Sequence, residues 1–326
     1  MSDKIIRLGS EYALSLPANK LGESPICSPD GTTLFYVDVP VGKIHRYDFL
    51  TKQHDFVETG TNVSFVAPEA GRPGVVVAGV GPGNIHRYEF GTARDEVIAW
   101  LKNPRPHERS NDGKIDPHGV LVVGTKGADE GTHTHIGRLS WLHEENAPFL
   151  TPFQNYIHIS QGPAWSPDGN VMYINDSRAF LWTTRYHLET STPEFSHHDI
   201  FADMPDDGSV PDGLTTYPGE DGHTHVVLAK WSHTGDMGRV DVYRDVEGKG
   251  ELVKTIEIPT VLQASSVIFG GPQHRDLIIT TANYGKSEEN PDIYIDAGKV
   301  FVLPDFAPGL PATPFKGKNF PALAVG

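Results

Sequence analysis

Three polar residues stand at equivalent points of the chain: Glu23 in LGESPI, Gln161 in ISQGPAW and Asp212 in VPDGLT, each leading through Pro or Gly into an apolar run. Carboxylate and amide oxygens are hard ligands, so the three together suit Ca²⁺, Mg²⁺ or Mn²⁺, with Zn²⁺ and Fe²⁺ also accepted. A cation held by three protein groups keeps coordination positions open for water and substrate. That arrangement polarises a carbonyl and lowers the pKa of bound water. A fourth segment, RSNDGKIDPHG at 109–119, sets Arg109 and Asn111 ahead of an Asp-Gly step that reads as a tight turn. Arg109 brings a rigid fork of donors and Asn111 both a donor and an acceptor, which suits a polyhydroxylated or carbonyl-bearing substrate.

Residues this far apart meet only if the fold repeats. The phrase CSPDGTTLFYVDVPVGKIHRYDF at 27–49 returns as WSPDGNVMYINDSRAFLWTTRYHL at 165–188. Each copy has a Ser-Pro-Asp-Gly turn, an apolar strand, a polar turn and a second strand, which is the plan of a β-hairpin. Weaker copies begin near 71, 116, 225 and 276, giving units of roughly 40 to 55 residues, the size of a four-stranded propeller blade. The pattern predicts an all-β fold, a six-bladed β-propeller of four-stranded blades formed as one domain over 1–326. In such a ring the loops entering the first strand of each blade converge at one mouth of the channel, where an axial metal site would collect Glu23, Gln161 and Asp212. The stretch EYALSLPAN is expected to close the last blade as an added strand, and 311–326 to form a surface tail. Asp176, in YINDS, reads as a turn residue.

Composition narrows the function classes. A net charge of −15, spread along the chain, repels phosphate backbones and anionic lipid, so neither nucleic acid nor membrane is an expected partner. No apolar run approaches the roughly 18 residues of a spanning helix, and the N-terminus carries no signal-like core. A soluble, cytoplasmic protein is expected; oligomeric state is left open. Cys27 is the only cysteine, which rules out an intrachain disulfide and a Cys-based zinc cluster, and its place at a strand start predicts burial. Sixteen histidines include the pairs His133 with His135 and His223 with His225. Both pairs fall in Gly-rich loops, where structural or surface roles are expected.

Taken together, LGESP, RSNDGKIDPHG with its following GT, SQGPAWSPDG, VPDGLT and FGG resemble the SMP-30/gluconolactonase/regucalcin family, in order and along nearly the whole chain. The resemblance implies a six-bladed propeller whose axial metal supports hydrolysis of sugar lactones and related esters. It implies that Glu23 and Asp212 ligate the metal, that Asp212 also acts as the base, and that Arg109 and Asn111 meet the substrate. Where the family carries an Asn ligand this chain has Gln161, one methylene longer. Where relatives carry an acidic or polar substrate contact it has THTHIG, which makes His133 the candidate there. The resulting expectation is a metal-dependent lactonase acting on a small-molecule aldonolactone. The alternatives are a hydrolase of a non-sugar lactone or ester, or a specialised biosynthetic enzyme, on the same fold, and a non-catalytic metal-binding propeller.

Overall fold

The protein is described by a computed structural model covering residues 5–127, 137–142, 149–177, 180–186, 195–203 and 207–317. The two Ser-Pro-Asp-Gly copies fold alike. Gly31 N–H donates to the Ser28 carbonyl at 2.8 Å and Gly169 N–H to that of Ser166 at 2.7 Å. Asp30 and Asp168 each accept the hydroxyl of the serine two residues earlier, and that serine accepts the N–H of Thr33 or Val171 at 3.0 Å. These bonds favour the charged carboxylate and hold both aspartates below their usual range. Each turn therefore fixes the register of the hairpin that follows.

Such hairpins extend into antiparallel meanders. Gly22–Cys27, Thr33–Asp38, Lys43–Asp48 and His54–Glu58 form one four-stranded sheet. Val63–Pro68, Val75–Val80, Asn84–Glu89 and Asp95–Leu101 form a second meander. A short parallel pairing of Phe149 with Trp100 and Leu150 with Leu101 joins it to Glu108–Ile115, Leu121–Gly127, Gly137–Leu142 and Phe149–Ile157 in an eight-stranded sheet. Ser160–Trp165, Val171–Asp176, Phe180–Tyr186 and Phe195–Asp203 make another four-stranded sheet. Ser209–Pro218, Thr224–Ser232, Gly238–Val246 and Lys249–Ile258 gain a fifth strand, Ile5–Arg7, parallel to the last of them. Gln263–Gly270, Asp276–Ala282 and Phe301–Leu303 complete the set. Among the described residues the fold is all-β apart from single helical turns at Ser10–Tyr12 and Lys286–Glu289.

The first strand of each meander packs on the first strand of the next, and Gln263–Gly270 packs back on Gly22–Cys27. Gly22–Cys27, Val63–Pro68 and Gln263–Gly270 are buried along their whole length, which explains why their sequences lack a clean apolar–polar alternation. The largest apolar cluster lies between the first three meanders, with Phe35, Phe65, Val77, Tyr88 and Leu121 among its members. The N-terminal segment crosses two sheets: Ile6 pairs with Ile256, and Ala13 bridges Phe301. Near the other end, Phe315 is buried, accepting from Ala70 N–H and donating to the Pro68 carbonyl, both at 2.8 Å. Among the described residues no helix is long and apolar enough to cross a membrane.

One buried histidine gives the fold a pH signature. His45 is stacked on the Tyr36 ring at 4.6 Å, with Nδ1 3.0 Å from Nε2 of His54. Burial, then repulsion from His54, pushes its pKa from 6.5 down to about 3. Below pH 6.5 the unfolded chain therefore takes up a proton that the folded chain refuses. This contribution costs up to about 1.4 kcal/mol of stability per pH unit as pH falls toward the folded value. Urea unfolding of His45→Phe should show a shallower loss between pH 6.5 and 4 than the parent; parallel curves would contradict it.

Candidate active site

In the ladders of all six first strands the register slips at one point: after Glu23, Val63, Ser110, Gln161, Pro211 and Ala264. A bulge leaves residues unpaired and bends the strand, re-aiming the side chains there. Glu23, Asn111, Asp112, Gln161 and Asp212 all lie in or beside these bulges. The remaining two bulges carry Ser64 and Ser265. Glu23 precedes Ser24, whose φ of 47° is left-handed. The approach to two of these strands is clamped in the same way. Asp38 accepts the N–H groups of Lys20 at 2.9 Å and Leu21 at 3.1 Å, and Asp176 those of His158 at 3.0 Å and Ile159 at 3.3 Å. Each aspartate anchors the chain just before a site residue, so Asp176 is a clamp and not a turn residue.

The Asp-Gly step of RSNDGKIDPHG is likewise no hairpin turn. It lies within the strand Glu108–Ile115, at the bulge. Its glycine answers a packing demand, since a Cβ on Gly113 would come 2.9 Å from the Phe65 ring of the neighbouring meander. Gly213, after Asp212, is in the same position: a Cβ there would meet Ser266 Oγ at 2.0 Å. In both cases the acid is carried inward where one meander closes on the next.

Three carboxylates consequently share one buried region. Glu23, Asp112 and Asp212 are 8%, 1% and 3% exposed, too little for water to solvate three charges. Burial, then repulsion from Asp112, pushes the Glu23 pKa from 4.5 up to about 8. Burial, then Glu23 and Asp112, raises Asp212 well above the carboxylate range. Asp112 is raised by burial but is opposed by Lys114, by the N–H groups of Gly162 at 2.9 Å and Gly113 at 2.7 Å, and by the Ser24 hydroxyl. Lys114 is itself buried and donates to the Leu214 carbonyl. Burial lowers its pKa against the pull of Asp112 and Glu23. Lys126 is a second buried cation acting on Glu23 and Asp212.

Of the other expected residues, Asn111 is half-buried and its Nδ2 donates to the Ser160 carbonyl at 2.9 Å, which sets it beside Gln161. Arg109 is half-buried, donates to the Ser110 carbonyl at 2.8 Å and stands opposite Lys126 in the ladder. Gln161 is only partly buried and pairs with Asn175. His133 and His135 lie outside the described residues. His223 Nδ1–H donates to the Asp245 carbonyl at 2.9 Å, and His225 stacks on Tyr217 at 4.8 Å, so this pair finishes a hairpin. Cys27 is buried, and burial raises its thiol pKa.

Sequence reading missed Asp112, Lys114, Lys126 and Asn175. Asp112 and Lys114 stood inside a quoted motif, but an Asp-Gly step signals a turn and a lysine signals surface. Asn175 is fully buried, and its Nδ2 donates to the Asp212 main-chain carbonyl. Asn175 Oδ1 and Asp212 Oδ1 are both buried without a hydrogen-bond partner. Among the described residues no three His, Cys, Asp or Glu side chains lie close enough to cage a cation unaided. Buried carboxylates crowded enough to raise Glu23 and Asp212, together with unpaired buried oxygens, nevertheless fit a hard cation whose shell is completed by amide oxygen and water.

The chain is 30% identical over 296 residues to pentonolactonase XacC of Haloferax volcanii, covering 90% of this chain and 93% of the relative. It is 29% identical over 280 residues to regucalcin of Danio rerio, covering 83% and 86%. The solved structure of a calcium-binding protein, regucalcin, from Agrobacterium tumefaciens superposes with a TM-score of 0.82 at 22% identity, covering 96% of this chain and 99% of that one. A family model described as the SMP-30/Gluconolactonase/LRE-like region matches residues 21–283, and with the bulged acidic strands in that span the chain belongs to this family.

Proposed function

We propose that this chain hydrolyses the ester bond of a lactone, most suitably an aldonolactone, at a divalent-metal site centred on Glu23 and Asp212, at the mouth of a ring of six four-stranded blades. The observation that carries the reading is the burial of Glu23, Asp112 and Asp212 at the bulges of three different first strands, where Asp112 raises the proton affinity of Glu23 and both raise that of Asp212. Support for the ring comes from the cyclic packing of the first strands. Support for the substrate class comes from the pentonolactonase relative, and support for the metal from the calcium-binding regucalcin.

Glu23, Asp212 and an amide oxygen would hold the cation, which when bound polarises the lactone carbonyl and eases deprotonation of water. Asp212 supplies the base. Burial and its carboxylate neighbours strengthen its hold on a proton, and its Oδ1 has no competing donor. In the reaction the water oxygen bonds to the carbonyl carbon, Asp212 takes the water proton, the bond to the ring oxygen breaks, and that oxygen leaves with the proton from Asp212. Asn111, tied to the Ser160 carbonyl, and Arg109, in the same strand, orient the ring substituents. The buried surroundings keep bulk water from competing with these contacts.

A panel of five- and six-carbon aldonolactones and bulky aromatic lactones, followed by acid release, tests the reading. Chelator-treated protein should lose at least about 90% of its turnover, and added Ca²⁺, Mn²⁺ or Zn²⁺ should restore it. Turnover of aromatic lactones alone would reassign the substrate. Metal binding with no turnover across the panel would sink the enzymatic reading.

A further inference from the structure

The family resemblance places the amide ligand at Gln161, yet the structure gives that position poor credentials. Gln161 is only partly buried and sits at the bulge with a side chain one methylene longer than the expected Asn. Directly across the ladder stands Asn175, so the two side chains project from the same face of the sheet. Asn175 is fully buried, and its amide orientation is fixed by chemistry. Nδ2 donates to the Asp212 main-chain carbonyl, and the flipped amide would set oxygen against oxygen. Its Oδ1 is thereby left buried with no donor, as is Asp212 Oδ1. An orphaned buried acceptor costs about 1–3 kcal/mol, and two on residues that touch mark a place where something else satisfies both.

We propose that Asn175 supplies the amide oxygen of the metal site, with Oδ1 as the ligand in place of Gln161, while Nδ2 fixes the main chain at Asp212. One residue of a second strand would then perform two tasks, ligation and placement of the base. The carboxylates do not form a three-group cage by themselves, so an amide oxygen at this spot completes the shell. This inference rests on the metal-site reading given above.

Tb³⁺ and Ca²⁺ binding to the full chain, after chelation and dialysis, tests it without reference to turnover. Asn175→Leu should weaken Ca²⁺ by at least about tenfold and, from Tb³⁺ luminescence decays in H₂O and D₂O, admit about one extra bound water. Gln161→Leu should change affinity by less than about threefold and admit none. Asn175→Asp separates ligation from scaffolding. It keeps a ligand oxygen but loses the donor to Asp212, so Ca²⁺ affinity should hold within about threefold while the metal-free protein unfolds at lower urea. Should Asn175→Leu not fold, the Asn175→Asp and Gln161→Leu pair decides. Loss of affinity in Gln161→Leu, or in Asn175→Asp, overturns the assignment. Glu23→Ala and Asp212→Ala serve as the separate check on the underlying site: unchanged Ca²⁺ affinity in both would remove the site itself.

Discussion

Asp212→Asn is expected to lower kcat by about 10³-fold while making the metal-free protein more stable, two effects that a purely structural residue would not combine. The loss follows from removing the base and a ligand oxygen with almost no change of shape. The gain follows from the crowding of Glu23, Asp112 and Asp212 in a region where none is more than 8% exposed. Without a cation, one fewer buried acid relieves the other two. The linkage can be read at Glu23, whose pKa rises from 4.5 to about 8 through burial and then Asp112. Across that interval the folded chain retains a proton that the unfolded chain has lost, so stability declines as pH rises, by up to about 1.4 kcal/mol per unit. Urea titrations with chelator between pH 5 and 8 should show this slope, reduced both in Asp212→Asn and in Glu23→Gln. Saturating Ca²⁺ should flatten it, because the bound form keeps its ligand carboxylates ionised across that interval. Wild-type turnover in Asp212→Asn would end the case for Asp212 as base.

Lys114→Met carries the second large effect, this time on folding. The ammonium is 7% exposed, donates to the Leu214 carbonyl, and opposes the charges of both Asp112 and Glu23. Methionine fills the same volume but leaves Asp112 without its main counter-charge and Leu214 without a donor. Breaking a buried ion pair from one side costs about 3–5 kcal/mol. Burial raises the Asp112 carboxyl and so softens this: a loss of about 3 kcal/mol is expected in urea at pH 8 and a smaller one at pH 5, because lower pH favours the neutral form of a carboxyl that burial raises. Lys114→Arg is no rescue, since the planar fork does not fit the space of an ammonium. A Lys114→Met protein as stable as the parent at both pH values would show that Lys114 does not balance this cluster.

Much of this arrangement was legible in the chain before any coordinates. The repeated Ser-Pro-Asp-Gly phrase encodes its hairpins through local bonds, which is why both copies fold alike. Glu23 and Asp212 announced themselves by recurring at the same offset before an apolar run. Asp112 did not, because the Asp-Gly pair that usually makes a turn here serves a close approach between neighbouring meanders, a demand set by residues such as Phe65 far away in sequence. Lys114 was hidden by the ordinary preference of lysine for water. Asn175 sits beside Asp176 in a stretch that reads locally as polar punctuation, and only the Asp212 carbonyl, contributed by another sheet, reveals its orientation. The strand Ile5–Arg7 is three residues long, too short for alternation to register, and owes its existence to an exposed edge at Lys249–Ile258.

The six register slips have a consequence for how this scaffold can change. A residue in a slip has no opposite number in the ladder, so its side chain can be exchanged without disturbing the rungs on either side, except where, as at Gly213, the next meander leaves no room for a side chain. The chemistry is thus written in an alphabet separate from the one that spells the meanders. Ser64 and Ser265 occupy two of the slips, and their hydroxyls bond to Ser110 Oγ at 2.7 Å and to Thr280 Oγ1 at 2.9 Å. Each hydroxyl ties its slip to another strand, so these two slips brace the scaffold where the other four carry acid or amide groups.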